Sequence, residues 1–335
     1  MAGARAPIRF RPAILVAALV AGYVASVLFS IFLGRTGGPT PSIWTATGFL
    51  TGALILLQGR WRVAAAALCL GFQAAVSFAV GDGLARALTG PPVDLLEAGL
   101  AAWLAVTFCG ARRRRLSLRD LTLLMLAAIA PAAAIGALPG AGINFALRGQ
   151  GLFDGWLAWA VPSGLGMAIV TPTLLLLSRE EQFKEFRRSH VETGGLLGGV
   201  CGLTAAAFFQ NELPLQFVIF PSLTLVAFRL GPPGAAVAGV FVAAICLSLA
   251  TLGHGLAPPA LSQLGRIRLT QVVVTAAFCG ALATAVIVAE QARLRRLLVS
   301  RDRAVRAALL RARRAERIVV AAVESGLAAP ARKAG

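Results

Sequence analysis

Two carboxylates, Asp94 and Glu97, stand three residues apart in a run of otherwise small and apolar residues. On a helix that spacing puts both on one face. A carboxylate below the headgroup level is costly in lipid and usually faces a bundle interior or a cavity, where it binds, relays protons or pairs. The competing reading is a charge at a helix N-terminus in the membrane interface. Gln73 and Asn144 are amides set in apolar sequence, able to hydrogen-bond between helices or to hold a ligand. Of the two histidines, His190 follows an arginine pair in a loop, and His254 sits between glycines, where loop structure and proton sensing compete. GxxxxGK[ST], HExxH and GxSxG are absent from the sequence, and Gly164-Leu165-Gly166 lacks the preceding strand of a dinucleotide loop. The five cysteines form no CxxC pair and read as packing residues. The expectation is therefore no enzyme, no catalytic residue, no cofactor and no metal.

The elements that carry these residues are membrane helices. Of 335 residues, 58% are hydrophobic and 14% charged, far below the roughly 25% charged of a soluble domain. Spans are expected at 12–33, 42–58, 61–80, 92–110, 118–140, 156–178, 193–210, 214–229, 232–253 and 268–289. The fold class is thus an all-α integral membrane bundle of about ten helices. Eight is the alternative count, because 42–58 and 214–229 are short enough to be re-entrant or broken. Arg5, Arg9 and Arg11 precede a first apolar run too long for a signal peptide, so that run reads as an uncleaved span after a basic segment, 1–11.

The net charge of +18 reads as topology and contact with anionic headgroups rather than nucleic acid. With the N-terminus inside, inner segments carry fifteen basic residues, among them Arg60, Arg62, Arg112 to Arg115, Arg119, Arg179, Lys184, Arg187, Arg188 and Arg229. Outer loops carry five: Arg35, Arg86, Arg148, Arg266 and Arg268. Both termini are then cytoplasmic. The tryptophans, Trp44, Trp61, Trp103, Trp156 and Trp159, fall mostly near span ends, as belt residues do. Gly48/Gly52, Gly136/Gly140, Gly195/Gly199 and Gly198/Gly202 have the spacing of close helix packing. Pro131, Pro139, Pro162, Pro172 and Pro221 predict kinks whose freed carbonyls must face protein or a cavity. Residues 290–325 predict a basic cytoplasmic helix. A heptad through Leu298, Val305, Ala312 and Val319, with Leu309 and Val323, suggests a coiled-coil homodimer, and a helix lying on anionic lipid is the equal alternative. Residues 326–335 read as a disordered tail.

Several blocks in order resemble the membrane-associated sensor domain MASE1 over roughly 12–300. They are Trp44 with Gly48, Gly52, Leu57, Gly59, Arg60 and Gly71; Asp94 to Glu97 leading to Trp103; Trp156, Trp159, Leu165-Gly166 and Thr171-Pro172; Phe220-Pro221, Ala227 to Gly231 and Gly234; and Gly253-His254-Gly255 with Pro258. The resemblance implies an input module at 12–289 in a bacterial inner membrane, of the kind joined to histidine kinases and diguanylate cyclases. It adds Trp156, Trp159 and Arg229 to the candidate sensing residues Asp94, Glu97, Gln73 and Asn144. It also implies a cytoplasmic or membrane signalling partner of kinase or cyclase type, since Glu316 to Gly335 holds no site for ATP or GTP. One departure stands out: Pro162-Ser163 occupies the place where the family pattern leads one to expect Gly-Asp. The leading expectation is a non-catalytic sensor or adaptor acting through its last span. A small transporter is the alternative, because membrane-depth prolines and the two acids would suit a midplane site, and a remnant that lost its output domain is a third reading.

Overall fold

The structure, a computed structural model, describes residues 11–37, 42–112, 115–179, 190–210, 215–255 and 261–328. Arg5, Arg9, Arg113, Arg114, Lys184, Arg187, Arg188, Pro258 and the chain after Ala328 lie outside them. The described residues are helical with no strand element. The helices are α1 Pro12–Gly37, α2 Ala46–Leu56, α3 Gly59–Ala79, α4 Leu84–Phe108, α5 Leu118–Leu123, a π-helical turn Leu124–Ile129, α6 Ala130–Arg148, α7 Leu152–Leu177, α8 His190–Phe209, a 3-10 turn Leu215–Val218, α9 Ile219–Thr251 and α10 Gln263–Ala328. Seven helical stretches among them are long and apolar enough to cross a membrane. The chain divides into two units, 1–287 and 288–335.

Each span shows two faces. On α1, Leu19, Tyr23, Val27 and Ser30 are buried while Ile14, Leu28 and Phe32 are exposed. An apolar residue left exposed in this way is at home only in lipid. Local chemistry sets the element boundaries. Ser117 and Asp120 form a reciprocal capping box at the start of α5 (3.2 and 3.1 Å). The π turn ends two residues before Pro131, so a wider hydrogen-bond register absorbs the donor that proline lacks.

Two of the short expected spans have definite forms. The first, at 42–58, is a half-length helix. The 11 residues of α2 cover about 16 Å at 1.5 Å per residue, and nearly all are buried. The second is one arm of a helical hairpin. Gly231 breaks α9 with φ 68° and ψ −167°, a backbone only glycine adopts freely, and Pro232-Pro233 follow. Arg229, just before the break, pairs with Glu192 in the first turn of α8 (2.7 Å). His254, beyond the other arm, stacks on Phe209 at the end of α8 (4.7 Å between centroids). Leu215 follows Phe209 too closely in sequence to lie beyond the Glu192 end. The chain therefore runs one way along α8 over 215–230 and back over 232–251.

Arginines close both ends of the first unit. Arg62 donates to the Leu57 carbonyl (3.1 Å), Arg112 to Ile55 (3.4 Å) and Arg179 to Ala111. At the far end of α3, Arg35 donates to the Val80 carbonyl. Burial lowers the Arg179 guanidinium to about 10, with Asp120 acting in the opposite direction. The second unit, 288–335, is a helix to Ala328, and its apolar residues Leu298, Val305, Leu309 and Val323 are all exposed.

Of the expected glycine pairs, two are close contacts. A Cβ on Gly48 would meet Gly166 and Val170, and one on Gly52 would meet Leu174. Gly136 and Gly140 likewise press on Glu97 and Trp159. Gly195, Gly198, Gly199 and Gly202 have nothing within 4 Å. Their spacing is shared with the others, but no neighbour among the described residues uses it. Gly166→Ala would drive its Cβ into the Trp44 carbonyl and is expected to cost about 1–3 kcal/mol. Gly198→Ala is expected to be neutral or stabilising by up to about 1 kcal/mol. Thermal unfolding of both variants in detergent checks the contrast.

Candidate functional site

Asp94 is the eleventh residue of α4, not a residue at its start. The double proline Pro91-Pro92, a breaker in a sequence reading, lies inside the helix, which begins at Leu84. Asp94 and Glu97 are consequently some 15 and 20 Å along the axis, and both are 0% exposed. The interfacial reading of these acids is thereby corrected.

The two acids differ in their company. Asp94 Oδ2 accepts from Gln73 Nε2 at 2.7 Å and from Trp44 Nε1 at 2.9 Å. Gln73 accepts in turn from the Tyr23 hydroxyl at 2.5 Å, and Tyr23 is fully buried. One carboxylate oxygen thus gathers α1, α3, α4 and the segment before α2. Charge-assisted bonds of this kind are short and strong, which suits a group cut off from water. Asp94 Oδ1 and both Glu97 oxygens have no hydrogen-bond partner among the described residues. Ser163 of α7 neighbours Glu97 without reaching hydrogen-bond geometry. Gly136 of α6 backs the Glu97 side chain so closely that a Cβ there would overlap it.

Trp44 reaches this depth because α2 begins there. Its amide donates to the Pro162 carbonyl within α7 (3.1 Å), and its own carbonyl lies against Gly166. The belt position expected for Trp44 is therefore corrected: the indole is an interior donor. A tryptophan at the head of an apolar run reads like a belt residue, and only the broken path of 42–45 carries it inward.

A cavity of about 290 Å³ opens over this cluster. Its deep wall includes Trp44, Gln73, Ser163, Trp159 and Asn144, and its mouth carries Arg35, Arg86, Arg148 and Asp82. On α6, Gly136, Gly140 and Asn144 recur every four residues, so one face meets Glu97, Trp159 and the cavity in turn. Proline chemistry contributes to the wall as well. Pro162 cannot donate to the carbonyl of Ala158, and both residues line the space.

The structure brings together five of the seven candidates: Asp94, Glu97, Gln73, Asn144 and Trp159. Trp156 lies one turn from Trp159 but donates to the Ala134 carbonyl (2.7 Å) and stacks on Phe153, joining α7 to α6. Arg229 is elsewhere, in its pair with Glu192. Sequence reasoning missed Tyr23 and Ser163 as site residues. It also counted Arg35, Arg86 and Arg148 only as loop charges, although positive residues on the cation-poor face were themselves a signal.

A family model, MASE1, matches residues 14–292. No curated protein and no solved structure matches the chain.

The contrast between the two acids gives a direct test. Asp94→Leu strands two buried donors and is expected to cost about 2–3 kcal/mol. Glu97→Gln removes no hydrogen bond and is expected to be neutral or stabilising. Chemical or thermal unfolding in nanodiscs would reveal the ordering; equal losses would mean that Asp94 is not the keystone.

Proposed function

The chain belongs to the MASE1 family of membrane-associated sensor domains, and from that premise we propose that it is a non-catalytic input module relaying a stimulus through its last membrane helix. The observation that carries the reading is a single buried bond. Gln271 of α10 donates to the Ser42 carbonyl at 2.6 Å. Ser42 lies two residues before Trp44, which donates to Asp94. The last helix is thereby tied to the segment that delivers the indole to the acid. Phe278, about two turns further along the same face of α10, packs over Gly239 of the hairpin. From there α10 continues as helix to Ala328.

A change at the Asp94 cluster would move Trp44, and with it the 42–45 segment and Gln271. Two packings of α10 differing by a few kcal/mol would suffice to signal. The exposed apolar and arginine-rich stretch beyond residue 288 would meet the receiver. That receiver would be a cytoplasmic or membrane signalling protein of kinase or cyclase type, or a second copy of this chain.

The orientation belongs to the same reading. We place the chain in a bacterial plasma membrane with ten passes, counting 42–58 and each arm of the hairpin as one. Both termini are then cytoplasmic. Supporting it, Arg62, Arg112 and Arg179 bond carbonyls at one end of the first bundle. That is the cytoplasmic end by the positive-inside rule.

Two measurements check the proposal. Asp94→Asn places an amide where two donors converge, and hydrogen–deuterium exchange should change over 263–287 as well as around 44–56. Adding Gln271→Ala should confine the change to the latter; a change that never reaches 263–287 with Gln271 intact would defeat the relay. Reporter fusions after residue 112 should read as cytoplasmic and those after residue 254 as periplasmic, and the reverse pattern would invert the topology.

A further inference from the structure

Arginine is scarce on the outer side of this chain, yet three of its five outer arginines converge on one cavity. Arg35 comes from the end of α1, Arg86 from the start of α4 and Arg148 from the end of α6. The one acid on the lining is Asp82. Arg86 is only partly exposed, and it lies close enough to both Arg148 and Asp82 to feel repulsion from the first and attraction from the second. Guanidinium groups outnumber carboxylates on this lining, which leaves net positive charge at the mouth. An anion placed among them meets that charge favourably.

Below the arginines the character of the cavity changes. Trp44 and Trp159 present indole surface, and Gln73, Asn144 and Ser163 present amide and hydroxyl groups. Beneath these lie Asp94 and Glu97. The lining is therefore cationic at the mouth and uncharged along the deeper walls. An anionic group is held at the mouth, and the uncharged end of the same molecule points inward. An inorganic ion would leave the indole walls bare. The volume of about 290 Å³ lies near the lower end of small-molecule sites, roughly 300–1,000 Å³. That suits a single ring or a short chain and is small for a nucleotide.

We infer that this cavity binds a small organic anion, its carboxylate or phosphate group held by Arg35, Arg86 and Arg148 and its apolar body set between Trp44 and Trp159. The inference deepens the sensor reading by naming the class of stimulus, and it rests on that reading only for the step from occupancy to signal. The same chemistry could arrive from water as a solute or from the outer leaflet as an anionic lipid headgroup. In the second case only the headgroup enters.

The experiment uses the full chain in phosphatidylcholine nanodiscs, with thermal unfolding and calorimetric titration as readouts. The probes are phenylacetate, phenyl phosphate, benzyl alcohol and benzylamine. The two anions should bind saturably and raise the unfolding temperature, and the neutral and cationic probes should not. Arg86→Gln should weaken phenylacetate by about tenfold or more, Arg86→Lys by less, and Arg268→Gln, remote from the lining, not at all. Trp159→Leu should weaken phenylacetate while leaving the preference for anions over benzylamine intact. If Arg86→Gln fails to fold, Arg148→Gln provides the same test from the other side of the mouth. In phosphatidylglycerol nanodiscs, weakened phenylacetate binding assigns the site to a lipid headgroup and unchanged binding to a solute; both uphold an anion site. Equal binding of benzyl alcohol or benzylamine, no saturable anion binding, or full affinity in both arginine variants would overturn it. Such a failure leaves the relay untouched, because exchange in Asp94→Asn is measured without any ligand.

Discussion

A carboxylate removed from water must be compensated at once by donors, and in this protein Asp94 obtains them from outside its own helix. Trp44 and Gln73 meet on one of its oxygens, and Tyr23 secures Gln73 from behind. In a bundle where lipid replaces water, these bonds have no solvent substitute. The arrangement of the first unit follows from that need. The segment before α2 must leave regular helix to carry an indole to half depth. The α7 backbone must come close enough for Pro162 to accept from Trp44, which Gly166 permits by having no Cβ. Small residues here are spaces reserved for particular neighbours.

Glu97 is the counterpart. One turn away on the same face, it is equally buried and unpaired among the described residues. An acid of that kind is a poor stabiliser, and buried unsatisfied groups are uncommon in settled structure. Gly136 leaves room for its side chain, and Ser163 stands beside it where the family pattern leads one to expect a third carboxylate. A hydroxyl in that place spares the cluster another like charge. Glu97 stands beside this cluster, and the bonded acid next to it connects through Trp44 and Ser42 to Gln271 on the last helix.

The hairpin at Gly231 shows the same economy at the periphery. A glycine with positive φ followed by two prolines reverses the chain, and the Arg229–Glu192 pair fastens the reversal to the start of α8. Arg229, a candidate for sensing on resemblance, pairs with Glu192 in the structure. Arg35, Arg86 and Arg148 are placed differently: they line one cavity, a gathering made by the fold and not by any one loop.

The sequence by itself determined the membrane class, the helical segments, the asymmetry of charge between faces and the identity of the unusual interior polar residues. Each is carried by composition or by local pattern, because lipid imposes a minimum length of apolar residues and penalises every exception. Asp94, Glu97, Gln73 and Asn144 were visible as such exceptions. Only the tertiary structure decided which of them are bonded, how deep they lie and what else joins them. Tyr23 and Trp44 are aromatic residues in apolar runs and read as packing or belt. The arginines of the cavity mouth are separated by up to 113 positions in the chain. Pairing at a distance depends on where α2 breaks and on which glycines let backbones approach, and those choices are made between helices, not within them.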